Sequence, residues 1–417
     1  MADEDGNTGS DVFDDKSENL LDNDHDKDNN SSAADPETFF DPDVKRVLFQ
    51  NATIVSGSGG PYKADLLVEE GKIRSIGTSL DLVGGGAGDS RVVAAEGLVL
   101  TPGSISSLTG DRDENSTLSR GCTVALHRLS YVHGDIGDAC EQKKSALIGR
   151  SRTHFGFILQ LQNINELSRN DLSALVTGGG VGVISLPGTR LSNTEIMEAF
   201  KRVKKLGCVV NIDLERSELT QHFSRLGVAD SYYKEDIEET EVRRICTFAK
   251  QIGVKICIGG VCHLPALEII KEFAAKGVEI FAVLAENLDS RVLKTIVSDK
   301  RLLELVVMTP PARVTDLASH VKMSCLNPAK LLGIADTRGE VATGHQADLV
   351  LWRREEDTDN QQPGYSVQYV MVEGRMVLTP EVESPAGHGD FVGVTARVHQ
   401  DQQQEEEGVK RVEREQR

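Results

Sequence analysis

Residues 97–103 read Gly-Leu-Val-Leu-Thr-Pro-Gly, a short apolar strand that a proline and a glycine bring to an end. Short apolar segments separated by glycine-containing turns precede this stretch from residue 46 onwards. After it, longer segments follow in which helix and strand periodicity alternate. The stretch therefore marks the boundary between a β-module at residues 46–103 and an α/β region at residues 104–338.

The α/β region alternates predicted helices with apolar strands. Ser192 and Glu195 stand at capping-box spacing and predict a helix that runs to Lys205. The alternation continues with a strand at 208–212, a helix at 238–252, a strand at 254–258, a helix with Pro265 in its first turn, and a strand at 278–284. Repeated βα units of this length predict a parallel sheet, either closed into a barrel or left open.

The charge of the chain is unevenly distributed. The net charge is -19, but residues 1–45 contain 15 acidic residues and 3 lysines, so -12 of it lies there. Residues 1–44 have too few apolar side chains to offset the entropy of ordering, so we expect a disordered acidic leader. Residues 381–417 are expected to form a disordered tail. The remainder is mildly acidic, which argues against nucleic acid as a partner.

Hydropathy and cysteine usage predict a cytoplasmic protein. No apolar run is long enough for a membrane span, and the N-terminus lacks a basic-then-apolar signal pattern. Seven cysteines, an odd number, lie mostly within apolar segments, which is typical of reduced, buried thiols. Cys257 and the pair Cys262-His263 are interpreted as core residues rather than metal ligands, because no second ligand pair stands at zinc-site spacing.

Segments near both ends of the α/β region carry a resemblance to a known family. They are residues 46–55, 64–77 and 97–103, and then 327–330, 339–344, 347–352 and 370–377. These segments resemble the dihydropyrimidinase and hydantoinase family of metal-dependent amidohydrolases, and within it the collapsin response mediator proteins, its non-enzymatic branch. The resemblance implies an α/β fold with a shortened TIM-like amidohydrolase barrel. It also implies a small β-sandwich built from both ends of the chain, with residues 339–380 supplying its second half.

The resemblance also locates a chemical site. In the family's enzymes, two zinc ions are bridged by a carboxylated lysine, held by histidines and an aspartate, and activate a water for attack on a cyclic amide. The positions that bind metal or substrate there correspond here to Leu108, Gly110, Ser185, Arg190, Asp213 and Gly260. Only Asp213 offers a carboxylate, and a serine cannot carry the bridging carbamate. We therefore predict a pseudoenzyme with no catalytic, cofactor-binding or metal-binding residues and without zinc.

Three functions remain open at this point, one of them a regulatory partner that joins a related active enzyme or mediator protein in mixed oligomers. The first, implied by the resemblance, is a scaffold that forms homo-oligomers or hetero-oligomers with related proteins and acts on tubulin and the cytoskeleton in neuronal and axon guidance signalling. The second is a cyclic amide hydrolase with a rebuilt site around Asp213, His263 or the histidines His127, His133 and His154. The acidic run at residues 235–241 is interpreted as a solvated helix face.

Overall fold

The structure is a computed structural model. It describes residues 44–82, 89–106, 114–130, 136–177, 180–188, 191–214, 230–286, 288–311, 313–355, 363–379, 389–390 and 392.

The first five strands lie in the segment where the sequence predicts a β-module. The strands are β1 (Arg46–Ile54), β2 (Tyr62–Glu69), β3 (Lys72–Gly77), β4 (Ser90–Ala94) and β5 (Leu98–Pro102). β1 pairs antiparallel with β2 and parallel with both β4 and β5, so it occupies the centre of this sheet.

The next eight strands form a second sheet in which every pairing is parallel. They are β6 (Ser104–Ile105), β7 (Cys122–Ser130), β8 (His154–Gln160), β9 (Val181–Pro187), β10 (Val209–Asp213), β11 (Ile256–Val261), β12 (Ile280–Leu284) and β13 (Val306–Val307). Their order in space is their order along the chain. The predicted parallel sheet is therefore confirmed, and Gly103 alone separates it from β5.

Helices connect the parallel strands. Those described are α1 (Glu114–Leu118), α2 (Ile136–Leu147), α3 (Arg169–Thr177), α4 (Asn193–Leu206), α5 (Asp230–Ile252), α6 (Leu264–Ala275), α7 (Ser290–Ser298), α8 (Lys300–Leu303), α9 (Leu317–His320) and α10 (Asn327–Leu332), with a 3-10 turn at Ile164–Glu166 and a π-helical segment at Val321–Leu326. The predicted capping box is present in α4, since the Ser192 hydroxyl accepts the Glu195 N–H and the Glu195 carboxylate accepts the Ser192 N–H. Gly207 ends α4 in the left-handed conformation.

Three last strands return to the first sheet. They are β14 (Leu349–Glu355), β15 (Gly364–Val372) and β16 (Arg375–Leu378), and β14 pairs antiparallel with β5. The first sheet thus has the order β16-β15-β14-β5-β1-β2-β3, with β4 on β1. A β-module built from both ends of the chain, beside an amidohydrolase-like α/β unit, is the predicted fold class, and the prediction is confirmed.

The parallel sheet buries apolar side chains on both faces, as strands between two packed layers do. One face packs against the helices, through Val210 and Ile256 on the strands and Phe200, Ile245 and Leu267 on α4, α5 and α6. The other face carries Ile105, Leu126, Ile158, Val183, Val209, Cys257 and Val283, which pack with Leu331 and Leu332 of α10. The inner cluster is the core expected of a curled amidohydrolase-type sheet.

The segment from α9 to α10 contacts both edge strands of the parallel sheet. At β13, the Asn327 side chain donates to the Val306 carbonyl over 2.6 Å. At β6, the Ser104 hydroxyl and His320 Nε2 form a hydrogen bond of 3.0 Å. His320 is buried and its ring meets Trp352 of β14 edge-on. This segment therefore joins the two ends of the parallel sheet to each other and to the first sheet.

One carboxylate ties the two sheets together. Asp348, just before β14, is only 5% exposed and its Oδ1 accepts hydrogen bonds from His154 Nε2 on β8 over 3.2 Å and from the Glu373 N–H over 2.8 Å. The guanidinium of Arg338, whose side chain is 11% exposed, lies in direct contact with Oδ2. The Asp390 N–H donates to Nδ1 of His154, so both nitrogens of the neutral ring have partners. These contacts join residues far apart in the sequence, so the sequence alone does not indicate them.

Two sequence predictions fall largely outside the described residues. The acidic leader predicted over residues 1–44 lies outside them except for Val44, and the tail predicted over 381–417 lies outside them except for Gly389, Asp390 and Val392. Val392 and Asp390 nevertheless exchange backbone hydrogen bonds with Phe155 of β8. None of the helices formed by the described residues is long and apolar enough to cross a membrane.

Candidate functional site

Three of the positions singled out in the sequence lie on neighbouring strands of the parallel sheet. Ser185 lies on β9, Asp213 is the last residue of β10, and Gly260 lies near the end of β11. The carboxyl ends of parallel strands meet at one edge of the sheet, which is where barrels of this type place their chemistry. Leu108, Gly110 and Arg190 lie outside the described residues.

Ser185 belongs to a chain of buried hydrogen bonds. Its hydroxyl accepts the Asn211 side-chain N–H over 3.0 Å, and the Asn211 oxygen accepts the Cys257 thiol over 3.4 Å. All three residues are buried, and burial raises the pKa of the Cys257 thiol, which stays protonated and keeps donating. A serine held in this way by an amide has no base to activate it as a nucleophile among these partners.

Asp213 is the one carboxylate among the predicted positions. Its side chain is buried, and its backbone pairs with Pro187 of β9 and Gly259 of β11. A carboxylate at the end of a parallel strand can bind one metal ion, but a binuclear centre draws its affinity from several ligands acting together. Asp213 by itself therefore supplies a fraction of what such a centre needs.

Gly260 lies in a β-bulge. The pairing of β11 with β12 shifts register between Gly259 and Val261, and Gly260 has a φ of 79°. This left-handed conformation is free of strain for glycine but strained for any residue with a Cβ. A histidine at this position, which the resemblance implies for the enzymes, would need a different local backbone.

The bulge gives a testable prediction. We expect Gly260→Ala to lower the free energy of unfolding by about 1–3 kcal/mol, because a Cβ forces the strained φ of 79° on the chain. Gly59→Ala is the matched control, since the backbone of Gly59 is outside the left-handed region and an added Cβ meets nothing within 4 Å. Urea unfolding of the two variants measures the difference. Equal stability of both variants would contradict the assigned strain.

The seven cysteines are all free thiols, and six are buried. Burial raises the pKa of Cys208, Cys246 and Cys325 to about 12, so these thiols are unreactive at neutral pH. Cys257 is a core residue as predicted. Cys262 is the exception, because it is half-buried and lies at the end of β11 among polar side chains.

A cluster that the sequence interpretation missed surrounds Cys262. Glu238 of α5 is only 7% exposed, so the predicted solvated face of residues 235–241 is wrong at this position. Its Oε2 lies 3.0 Å from Cys262 Sγ and 2.7 Å from His263 Nδ1, and Sγ lies 3.2 Å from Nδ1. The interpretation of Cys262-His263 as core residues is therefore wrong. The three side chains together could hold a metal ion.

The helix period of α5 explains why Glu238 is buried. Glu238, Val242, Ile245 and Ala249 follow one another at spacings of four, three and four residues, and all four are buried. The neighbouring charges hid this periodicity, although it was visible in the sequence. Of the other histidines named in the rebuilt-site hypothesis, His127 lies on β7 beside Phe155, and His133 is outside the described residues.

Comparison with known proteins supports the family resemblance. The model of the amidohydrolase family matches residues 187–377. Among solved structures, a crystal structure of D-hydantoinase superposes with a TM-score of 0.68 at 18% identity, over 84% of this chain and 98% of that one. The chain is similar to dihydropyrimidinase-like proteins of the amidohydrolase family. The resemblance to the dihydropyrimidinase and hydantoinase family, which the sequence predicted, is confirmed.

Curated relatives of the dihydropyrimidinase-like chain are distant. Protein unc-33 of Caenorhabditis elegans is 24% identical over 57% of this chain and 29% of its own length. D-hydantoinase of Geobacillus stearothermophilus is 22% identical over 56% of this chain and 55% of its own length. The chain thus matches less than two thirds of the length of either relative, and the solved structures, at this low identity, establish its fold alone.

Proposed function

We propose that this dihydropyrimidinase-like protein is a pseudoenzyme that acts as an oligomeric scaffold in the cytoplasm. The observation that carries the proposal is the environment of Ser185. The resemblance puts Ser185 in the place of the metal-bridging lysine, and its hydroxyl is engaged by Asn211 inside the sheet. A side chain that can neither be carboxylated nor turn to a metal removes the centre of the family's reaction.

The neighbouring positions support the same proposal. Gly260 has no ligand atom, and its left-handed backbone disfavours the histidine of the enzymes. Asp213 supplies a single carboxylate. The apolar clusters on both faces of the parallel sheet are kept, whereas these residues occupy the positions that bind metal in the enzymes. Such a fold can still present surfaces to partner proteins.

The resemblance to the collapsin response mediator proteins indicates which partners to test. We propose assembly into homo-oligomers or mixed oligomers with related proteins, and an action on tubulin and the cytoskeleton in neuronal and axon guidance signalling. The free thiols of the chain are consistent with a reducing compartment.

Solution mass and tubulin binding test the scaffold proposal. We expect light scattering of the full chain at micromolar concentration to give at least twice the chain mass of 45.3 kDa. We also expect the chain to co-sediment with polymerised tubulin, while an unrelated acidic protein of similar charge stays in the supernatant. A single-chain mass together with no enrichment over that control would contradict the scaffold.

A cyclic amide hydrolase with a rebuilt site is the second candidate. Asp213 favours it, because its buried carboxylate lies at the end of β10, where one metal ion could bind. The test is hydrolysis of dihydrouracil or hydantoin by the full chain with added zinc, in parallel with Asp213→Ala. Turnover that is lost in Asp213→Ala would establish the hydrolase and overturn the pseudoenzyme.

A further inference from the structure

The cluster of Glu238, Cys262 and His263 lies where two elements are held together. Cys262 and His263 follow the last residue of β11, and His263 is the N-terminal cap of α6. Glu238 reaches them from the buried face of α5. The three side chains come from rigid elements rather than from a long loop, so their mutual positions are well defined.

We propose that Glu238, Cys262 and His263 bind one zinc ion, at a site separate from the metal positions of the family. A sulfur, a nitrogen and a carboxylate oxygen form the donor set that zinc accepts in proteins. Magnesium and calcium prefer oxygen ligands throughout, so the thiol and the imidazole select against them.

The distances within the cluster fit a small ion. Tetrahedral zinc with bonds of 2.0–2.3 Å places its ligand atoms about 3.4–3.6 Å from one another. The three ligand atoms now lie 2.7, 3.0 and 3.2 Å apart. Each pair therefore has to separate by less than about 1 Å, within the range of side-chain rotation. When zinc binds, the Cys262 thiol loses its proton to solvent and the thiolate becomes a ligand. The His263 imidazole binds through Nδ1 and carries its proton on Nε2. Water or a further protein group is the fourth ligand.

The other oxygen of Glu238 positions the carboxylate. Oε1 accepts the backbone N–H groups of Cys262 and His263, each over 3.0 Å. These bonds leave Oε2 directed at the thiol and the imidazole. Hydrogen bonds that orient a ligating carboxylate in this way are typical of metal sites and contribute to their affinity.

The site is independent of the family's chemistry and of the scaffold proposal. Its three residues are not among the positions that the resemblance assigns to metal or substrate binding. It is also distinct from the other thiols of the chain, because six of the seven cysteines are buried. Cobalt bound through a thiolate will therefore report on Cys262.

Cobalt(II) titration of the full chain tests the site. Protein stripped with a chelator and kept reduced is titrated with cobalt(II), and the thiolate-to-cobalt absorption in the near ultraviolet is recorded. We expect saturation at one equivalent, loss of the band on addition of zinc, and a higher melting temperature with zinc than without it. Cys262→Ser should abolish the band and the zinc-dependent rise, while its hydroxyl can still donate to Glu238.

Two further variants keep the local fold. Glu238→Gln retains an oxygen for the two backbone N–H groups, and His263→Asn places a favourable residue at the cap, where the histidine side chain makes no capping bond. Each should weaken cobalt binding by more than about 100-fold, since loss of an outer-shell partner already costs 10–100-fold. Asp213→Ala should bind cobalt as the unaltered chain does.

Three results would overturn the site. They are no thiolate band in the unaltered chain, a band that persists in Cys262→Ser, or a band that Asp213→Ala removes. The first would leave Glu238 as a hydrogen-bonding cap of α6 and nothing more. The first two results have no bearing on hydrolysis or oligomer mass, so the scaffold proposal is tested separately. The third would instead support the rebuilt hydrolase site that includes Asp213.

Discussion

Replacing Asp348 with alanine is expected to lower the free energy of unfolding by about 3–5 kcal/mol. The substitution removes the carboxylate in direct contact with the Arg338 guanidinium, which is 11% exposed, and it removes the acceptor of the His154 and Glu373 N–H groups. Breaking a buried ion pair is costly because the remaining charge stays out of water. Urea unfolding at pH 7 measures the loss.

Asp81→Ala is the control for this prediction. Asp81 is exposed, so its replacement should change stability by less than about 0.5 kcal/mol. Asp348→Asn keeps the volume but not the charge and should fall between the two. If Asp348→Ala unfolds at the same urea concentration as Asp81→Ala, Asp348 does not hold the two sheets together.

Acidification from pH 7 to pH 5 is expected to destabilise the protein by about 2 kcal/mol for each of His154 and His320. Burial lowers the pKa of each histidine from 6.5 to about 4. The Arg338 charge lowers the pKa of His154 further, whereas Glu373 and Asp390 oppose the shift, and Asp316 opposes it at His320. Between pH 6.5 and 4 the unfolded chain binds more protons than the folded one, so this part of the stability declines throughout that window and is lost below it.

The double variant His154→Gln, His320→Gln isolates this contribution. Glutamine places an amide nitrogen near Nε2, the atom that faces Asp348 at one site and Ser104 at the other, and it does not titrate. The quantity to compare is the change in unfolding free energy between pH 7 and pH 5, because the variant also changes absolute stability. A variant with the same pH dependence as the unaltered chain would show that other groups cause the decline.

Local signals predicted much of the fold. The Pro-Gly end of β5, the capping box of α4 and Pro265 in α6 act over a few residues, so their meaning survives in any tertiary context. The alternation of strands and helices predicted the core of β10, β11 and β12, and the family resemblance singled out Ser185, Asp213 and Gly260, which lie on neighbouring strands. Apolar periodicity was sufficient to predict the order of these elements, because it distinguishes helices from strands along the chain.

The remaining features depend on contacts between distant parts of the chain. The burial of His154 follows from Asp348 and Asp390, and nothing near His154 in sequence indicates them. Glu238 was assigned to solvent because charged residues surround it, although its spacing to Val242 and Ile245 places it on the buried face of α5. The left-handed backbone of Gly260 depends on a bulge against β12, which pattern alone does not reveal.

Anomalous diffraction at the zinc absorption edge tests directly whether the metal positions of the family hold zinc in this protein. Crystals of the full chain grown with excess zinc would place every ordered zinc ion relative to β9, β10 and β11. From the pseudoenzyme proposal, we expect no peak within bonding distance of the Ser185 hydroxyl or the Asp213 carboxylate. A pair of strong peaks there would contradict the pseudoenzyme proposal, because the positions of the family's metal centre would then hold metal.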